Sequence, residues 1–237
     1  MQKENKKELY PVGSQRIAVF DFDGTLVDAH LWAALLKYNF KNKERLFSSI
    51  WYFFYHMILY YFSKIKLISQ KNCFQAWTRD LPQLFKKITK ERGTEIFKLV
   101  WEKYIAPSSK ENVFEKFKWH KTRKDITFLV SNAPQEFLEI VKEALKFDFI
   151  IGVKSEIKNN KFTGKIIPPL LWGKRKVKRI KDIIKKEGFE VDLEESFAYS
   201  DSLRDLPMLK MTGNPVVVSP DEKLFKIAKK NNWRIIK

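Results

Sequence analysis

Cysteine is almost absent from this 237-residue chain, since Cys73 is the only one. A single cysteine excludes an internal disulfide and favours a reducing, cytoplasmic setting. Residues 1–10 carry charges of both signs with no apolar run behind them, so we expect no secretory signal. Glycine and proline rarely interrupt residues 29–118, which carry helix-like patterning instead. The protein is therefore expected inside the cell, with a long helical segment.

Acidic residues are outnumbered by basic ones: 46 Lys and Arg face 28 Asp and Glu, for a formal net charge of +18. Such an excess favours anionic partners, which include a membrane surface, nucleic acid and phosphorylated substrates. The same excess of basic residues is equally expected if the genome simply encodes lysine often in all its proteins. The length fits one α/β domain with an insertion, or two small domains.

A short apolar run, residues 16–20 (RIAVF), ends in two carboxylates and a glycine. It predicts a buried strand whose carboxyl end opens onto a ligand crevice. Because side chains alternate, Asp21 and Asp23 should point to one pocket while Phe22 turns into the core. Two acids so close repel each other unless a cation separates them, and oxygen ligands suit Mg²⁺. The alternative is a strand end with two solvated acids, because Asp-Gly also marks turns.

Residues 21–25 (DFDGT) resemble the first motif of the haloacid dehalogenase-like (HAD) phosphohydrolases. The resemblance implies that Asp21 is a nucleophile and that Asp23 is an acid/base. It also implies that Thr25 contacts the substrate, and that Asp23, through its backbone carbonyl, joins Asp21 on a magnesium ion.

A second buried strand, over residues 125–134 (DITFLVSNAP), carries a hydroxyl near its end. Pro134 suits the first turn of a helix, so Ser131 should stand beside a helix N-terminus, where a phosphate oxygen binds readily. A serine that only caps or turns the chain is the alternative. Within the HAD resemblance this stretch is the second motif, and it makes Ser131 and Asn132 substrate-binding residues.

Two later segments are similar to the remaining HAD motifs. In the basic stretch LWGKRKVKRI, the Gly-x-x-Lys-Val spacing of the third motif selects Lys176 as the catalytic and phosphate-binding lysine, with Lys174 as the runner-up. A further strand, ESFAYS, ends in Asp201, an expected metal ligand, with Asp205 one turn on as a further ligand or acting through water. The alternative for Asp205 is the N-cap of the following helix.

All four motifs occur in order at strand or helix ends, so the resemblance covers essentially the whole chain. It implies an α/β fold, with a doubly wound, mostly parallel sheet and an inserted α-helical cap. We expect a flexible arm over residues 1–15, a catalytic core formed by 16–28 and 119–237, and a cap over 29–118.

Two smaller features complete the expected fold. A hairpin-like excursion over residues 147–167 should include strands at 149–153 and 162–166 with a turn at 159–160, and should wall the pocket. His120 is expected at a solvated position before the second strand.

Within the expected cap, residues 46–63 (LFSSIWYFFYHMILYYFS) contain no Asp, Glu, Lys or Arg. As one helix the run would extend about 27 Å, close to the hydrocarbon thickness of a bilayer. A single crossing is excluded, because it would place strands of one sheet on opposite sides of a membrane. Three interpretations stay open: a cap helix packed in the core or in a dimer, an interfacial helix, and a re-entrant element. The Trp and Tyr rings and the flanking basic residues favour the membrane interface, where His56 would be a polar tip.

The resemblance implies Mg²⁺-dependent hydrolysis of a phosphate monoester through an aspartyl-phosphate. The motifs are similar to those of subfamily IB, and within it to the C-type phosphatidylglycerophosphate phosphatases. A lipid phosphate and an anionic membrane surface, on its cytoplasmic face, are therefore the expected substrate and partner, and no nucleic acid is expected. Residues 29–32 (AHLW) lack the acidic residue that binds the amino group in phosphoserine phosphatases. The alternatives are a small soluble phosphomonoester such as phosphoserine, and a non-catalytic, membrane-tethered scaffold.

Overall fold

The computed structural model describes residues 14–237. The expected flexible arm, residues 1–15, therefore lies outside the described residues except for its last two positions. Gln15 is one of these, and it donates its backbone N–H to the Glu190 carbonyl at 2.6 Å and pairs with Val191 in a parallel bridge. The chain is thus already paired at Gln15.

A parallel sheet forms the centre of the molecule. The strands in chain order are β1 (Ile17–Phe20), β2 (Ile126–Pro134), β3 (Phe149–Val153), β4 (Ser155–Lys158), β5 (Lys161–Ile166), β6 (Phe197–Ser200), β7 (Asn214–Val218) and β8 (Arg234–Ile236). Six of them form one sheet in the order β3-β2-β1-β6-β7-β8, in which every neighbouring pair is parallel. The predicted doubly wound α/β core is confirmed.

The sheet is covered on both faces, which explains why its strands are apolar at consecutive positions. Ala18 and Phe20 of β1 face one hydrophobic cluster, whereas Ile17 and Val19 face another. The helices outside the β1–β2 insertion are α6 (Gln135–Leu145), α7 (Lys174–Glu187), α8 (Leu206–Leu209) and α9 (Glu222–Lys230). Because β1 is buried on both sides, the residues that follow it are held in a fixed place at the carboxyl edge of the sheet.

The segment between β1 and β2 is helical, as the fold prediction requires. It contains α1 (Leu31–Lys41), α2 (Leu46–Lys64), α3 (Gln70–Asp80), α4 (Lys90–Val100) and α5 (Glu111–Thr122), with a 3₁₀ turn at Leu81–Phe85 and a π turn at Trp101–Ile105. The helix α5 packs on the sheet, where the Phe117 ring lies 5.8 Å from that of Phe20. The inserted helical cap is confirmed, and its proposed limits at residues 29 and 118 stay a prediction.

The hairpin differs from its prediction in composition and in place. Residues 149–153 form β3, an edge strand of the parallel sheet, and the hairpin consists of β4 and β5 around the predicted turn at Asn159 and Asn160. The hairpin packs on the cap, because Lys87 N–H donates to the Phe162 carbonyl (2.7 Å) and Phe162 N–H donates to that of Ile88 (3.0 Å). It does not line the cavity described below.

The helix α2 turns its polar side inward and its apolar side outward. Its buried residues are Ser49, Tyr52, His56 and Ser63. Its outer face exposes large rings, including Phe47 (84% exposed), Phe54 (61%) and Tyr61 (63%). Neither α2 nor any other helix within residues 14–237 combines the length and hydropathy that a bilayer crossing requires. The inner side of α2 therefore packs in the cap, whereas none of residues 14–237 covers its outer face.

Both histidine predictions outside the motifs are wrong. His56 is fully buried, with Nδ1 2.7 Å from the Tyr52 carbonyl and Nε2 3.3 Å from Asp80 Oδ2. His120 is also fully buried, with Nδ1 2.7 Å from Asp125 Oδ2 and Nε2 2.8 Å from the Tyr199 hydroxyl. Both ring nitrogens of His120 and Nδ1 of His56 have hydrogen-bond partners, which offset a burial cost of about 1–3 kcal/mol for each such atom, while His56 Nε2 has only the ion-pair contact with Asp80.

Candidate active site

The nucleophile candidate, Asp21, directly follows β1. Its backbone N–H donates to the Tyr199 carbonyl at 3.0 Å, and the next residue, Phe22, is fully buried as predicted. The chain then turns tightly at Gly24, whose φ of +80° is a conformation that glycine adopts without strain. A Cβ at Gly24 would lie 2.4 Å from Asp201 Oδ2, so the missing side chain lets Asp201 approach the loop.

Lys176 connects two of the predicted carboxylates. It lies in the first turn of α7, and its buried Nζ is 2.6 Å from Asp21 Oδ1 and 2.7 Å from Asp205 Oδ2. Burial alone would lower the pKa of Lys176, but Asp205 and Asp21 raise it above its usual value. Lys174, the runner-up, is exposed. The structure therefore brings Lys176, and not Lys174, to the carboxylates.

Thr25 is fully buried and lies between two acids. Its hydroxyl is 3.3 Å from Asp21 Oδ2 and 3.1 Å from Asp201 Oδ1, and it accepts the backbone N–H of Asp201 at 3.0 Å. Thr25 does not line the cavity. The hydroxyl of Thr25 links the two carboxylates, and the predicted substrate contact of Thr25 stays a prediction.

The electrostatics of this group favour a cation. Burial raises the pKa of Asp21 to about 8, repulsion from Asp205 and Asp201 adds to the shift, and Lys176 opposes it. Burial likewise raises the pKa of Asp201. Two buried carboxylates that resist ionisation are stabilised when a positive charge lies between them.

The predicted metal set, formed by the carboxylates of Asp21, Asp201 and Asp205 with the backbone carbonyl of Asp23, stays a prediction. Within residues 14–237 no group of three or more His, Cys, Asp or Glu side chains is arranged to hold a metal ion. Asp205 is engaged by Lys176 and by the Ser200 hydroxyl (2.9 Å); it occupies the N-cap position of α8, as the alternative predicts, but its side chain forms no capping hydrogen bond. The donors that fit Mg²⁺ here are hard oxygens, from the carboxylates of Asp21 and Asp201 and a backbone carbonyl.

Asp23 lies at the border between core and cap. Its Oδ1 accepts the backbone N–H of Leu31 at 3.2 Å, at the start of α1, and lies 3.8 Å from His30 Nδ1. This interaction with Asp23 raises the pKa of His30, against the opposing effect of burial. The side chain of Asp23 is partly exposed and lines the cavity. The carboxylate of Asp23 is therefore accessible to a molecule in the cavity.

The end of β2 presents the predicted hydroxyl and amide. Ser131 Oγ accepts the backbone N–H of Ala133 at 3.0 Å, and Ser131 also lines the cavity. The residue therefore stabilises the turn and is at the same time accessible from the pocket. Asn132 is held by Leu171: its Nδ2 donates to the Leu171 carbonyl (3.0 Å), and its Oδ1 accepts the Leu171 N–H (2.8 Å). Ser131 keeps a free proton to donate, whereas the amide of Asn132 is already engaged.

These residues open onto one cavity of about 410 Å³. We call its charged side the floor, which consists of Asp21, Asp23, Ser131, Asn132, Lys176, Asp201 and Asp205. We call its apolar side the roof, which consists of the cap residues Trp32, Tyr52, Met57, Tyr60, Phe74, Trp77 and Leu81. The floor is supplied by the core and the roof by the inserted helices.

The sequence profile of haloacid dehalogenase-like hydrolases matches residues 18–210. The chain belongs to this family. Among the relatives of this HAD hydrolase, a Mycobacterium tuberculosis protein named phosphoserine phosphatase is 24% identical over 230 residues, covering 95% of this chain and 71% of that protein. A Neisseria meningitidis histidinol-phosphatase is 26% identical over 152 residues, covering 63% of this chain and 68% of that protein.

Solved structures are similar to this HAD hydrolase in fold. A Bordetella pertussis protein of unknown function has a TM-score of 0.79 at 19% identity, covering 95% of this chain and 99% of that one. A phosphoserine phosphatase, solved as a phospho-aspartyl intermediate analogue, has a TM-score of 0.63 at 20% identity, covering 94% and 93%. Family membership and phosphatase relatives confirm the prediction of a HAD-type phosphatase; the subfamily stays a prediction.

Two functional candidates escaped the sequence reasoning. Lys110 donates its Nζ to the Gly24 carbonyl at 2.7 Å and so ties the end of the cap insertion to the nucleophile loop of this HAD hydrolase. Arg204 lines the cavity. Lysine is too common in this chain for Lys110 to stand out, but the place of Arg204 between Asp201 and Asp205 is a signal that was available.

Proposed function

We propose that this HAD hydrolase uses Asp21 to hydrolyse a phosphate monoester through an aspartyl-phosphate, with magnesium, and that its substrate is a lipid phosphate such as phosphatidylglycerophosphate. The observation that carries the proposal is one cavity in which a charged floor, with Asp21 bonded to Lys176, faces an aromatic roof. The floor suits a phosphoryl group, and the roof suits an apolar substituent.

In this mechanism Asp21 attacks phosphorus, the Asp21–phosphorus bond forms, and the ester bond breaks. The Nζ of Lys176 favours the ionised form of Asp21, against the effect of burial, and offsets negative charge on the phosphoryl oxygens. The Ser131 hydroxyl accepts from Ala133 and so has its proton free for a phosphoryl oxygen. Water then breaks the aspartyl-phosphate and restores Asp21, which leaves an alcohol and inorganic phosphate.

Asp23 is proposed to carry the protons of both steps. It gives a proton to the leaving oxygen and takes one from the attacking water, and its place beside the start of α1 keeps it outside the Lys176 network. Magnesium, held by the carboxylates of Asp21 and Asp201 and the backbone carbonyl of Asp23, would supply positive charge at the phosphoryl oxygens. The raised pKa values of Asp21 and Asp201 support a cation at this place.

The outer face of α2 supports a lipid substrate and an anionic membrane surface as partner. Two residues of this outer face, Met57 and Tyr60, also line the cavity, so the exposed apolar surface continues into the site. Exposed lysines stand at both ends of this face, at Lys43 and at Lys66. An apolar face bordered by basic residues fits the interface of an anionic bilayer.

A small soluble phosphomonoester is the second candidate, favoured by the relative named phosphoserine phosphatase. A non-catalytic scaffold is disfavoured by the physics of the floor. Burying Lys176 with two carboxylates is costly in free energy, and a protein that only tethers has no need of that arrangement.

The test is magnesium-dependent phosphate release from phosphatidylglycerophosphate in mixed micelles, beside phosphoserine, with the natural protein and Asp21→Asn. Lipid turnover that chelation and Asp21→Asn both abolish would support the whole proposal. Turnover of phosphoserine alone would select the soluble substrate. Absence of turnover with either substrate would contradict the proposed function.

A further inference from the structure

Arg204 is an exposed cation at the wall of the cavity, and its charge opposes the rise in the pKa of Asp201. It follows Asp201 by three residues and precedes Asp205, and its side chain lines the cavity. Within residues 14–237, no carboxylate lies at ion-pair distance from its guanidinium, and no hydrogen bond is formed by its side chain. The other strongly basic residue of the cavity, Lys176, is already bonded to two carboxylates.

Two aromatic rings hold Arg204 in place. Its Cζ lies 4.4 Å from the ring centroid of Phe74, in cap helix α3, and 6.0 Å from that of Trp172, in the loop before α7. Stacking occupies the face of a guanidinium and leaves the N–H groups at its edge available, in a fork that matches phosphate or carboxylate. The side chain is therefore oriented without being neutralised.

We propose that Arg204, in cation–π contact with Phe74 and Trp172, binds a second anionic group of the substrate, a phosphate or a carboxylate on the portion that is not transferred. This inference rests on the proposed function and narrows its substrate class. The subsite attracts substrates that carry an anion beside the phosphomonoester. It disfavours an ammonium group at the same place, because the guanidinium repels it.

The experiment compares paired substrates that differ only in the second anion. Phosphatidylglycerophosphate against phosphatidic acid, in the same mixed micelles, tests a phosphodiester, and 3-phosphoglycerate against glycerol 3-phosphate tests a carboxylate. The preference is the ratio of kcat/KM within each pair. We expect the natural protein to prefer the anion-bearing member, and Arg204→Gln to lower that preference about tenfold or more, mainly through KM. Arg204→Lys should restore part of it.

A matched control is Arg179→Gln on α7, which removes the same charge from an exposed position outside the cavity. It should leave the preference unchanged. A preference that Arg204→Gln leaves intact in both pairs would overturn the subsite, while hydrolysis itself would still support the proposed function.

A calorimetric measurement separates the two proposals. The Kd values of 3-phosphoglycerate and glycerol 3-phosphate are measured on Asp21→Asn, with and without Arg204→Gln. Tighter binding of the carboxylate-bearing member that depends on Arg204 supports the subsite even if no substrate is turned over. Equal binding of the two, whichever residue stands at 204, overturns it.

Discussion

The floor of the cavity is held together by directional polar contacts, whereas its roof is apolar. On the floor almost every functional group has a polar partner: Lys176 holds Asp21 and Asp205, and Thr25 holds Asp21 and Asp201. The roof is made of rings and aliphatic chains that impose few directional demands. A change on the floor therefore disturbs the chemistry, and it also lowers stability where it leaves a buried charge without its partner, whereas a change on the roof alters which molecules are accepted.

The largest expected effect is on the floor, at Asp21. Asp21→Asn removes the nucleophile and should lower kcat on a soluble probe such as p-nitrophenyl phosphate by about 10³-fold or more. Because burial already disfavours the ionised carboxyl, the free energy of unfolding should change by less than about 1 kcal/mol. Steady-state kinetics and urea unfolding measure the two quantities. A variant that keeps a tenth of the activity would remove Asp21 from the mechanism.

The next effect separates two lysines of one helix turn. Lys176→Met leaves Asp21 and Asp205 buried without their cation, so we expect a loss of about 3–5 kcal/mol in unfolding free energy and about 10²–10³-fold in kcat. Lys174→Met is the matched control, since Lys174 is exposed, and it should change neither quantity appreciably. Equal effects of the two substitutions would show that the contacts of Lys176 are unimportant.

The outer face of α2 should govern membrane affinity and leave the floor untouched. Phe47→Ser with Phe54→Ser removes two rings that make no contact with the floor, so binding to anionic phosphatidylglycerol vesicles should weaken about tenfold or more. Turnover of p-nitrophenyl phosphate should stay within about twofold of the natural value. Vesicle flotation and light scattering measure binding and oligomeric state.

Phe225→Ser, on α9, is the control for this pair because it removes an exposed ring elsewhere. If the α2 variant floats as well as the natural protein but changes from dimer to monomer, the face is an interface between two copies of the chain.

The smallest effect is on the pH dependence of the free energy of unfolding, through His120 and Asp125, which do not line the cavity. Burial lowers the pKa of His120 below 6.5, so the unfolded chain binds one proton more at mildly acidic pH. The pKa of Asp125 is also lowered, because hydrogen bonds from His120 and Arg16, with the charge of Arg123, outweigh its burial. The contribution of His120 is therefore complete above pH 6.5 and is lost as the pH falls below it; that of Asp125 is lost at still lower pH.

Unfolding free energy should accordingly fall by up to about 1.4 kcal/mol per pH unit just below pH 6.5. Urea unfolding at several pH values measures the slope, and His120→Gln should flatten it. An unchanged slope in that variant would assign the acid sensitivity to other groups.

The sequence predicted the residues of the floor better than those of the roof. The motifs predicted which residues would meet, because the carboxyl ends of neighbouring parallel strands share one edge of the sheet. The side-chain partners within the site were harder to predict: the hydroxyl of Thr25 contacts two carboxylates, and Asp205 binds Lys176. Those assignments depend on side-chain directions that a spacing pattern does not contain.

The orientation of α2 could not be predicted from periodicity, since apolar residues surround most of the helix. The few polar positions, Ser49, His56 and Ser63, identify the inner side only once partners such as Asn39 and Asp80 are known. His120 was misjudged for the same reason, because Tyr199 is far away in sequence.

The hairpin of β4 and β5 gives the cap a third attachment to the rest of the chain. Backbone hydrogen bonds join it to Lys87, Ile88 and Lys90, although the hairpin follows β3 of the core. A cap held only by its two chain connections could open by a hinge motion about those two segments. Here, any opening must either carry the hairpin along or break those bonds, so the bending points of the motion extend to the segments that flank the hairpin, at Lys154 and Ile167. Opening of the cap for a substrate would therefore depend on residues of the hairpin, which lie outside the lining of the cavity.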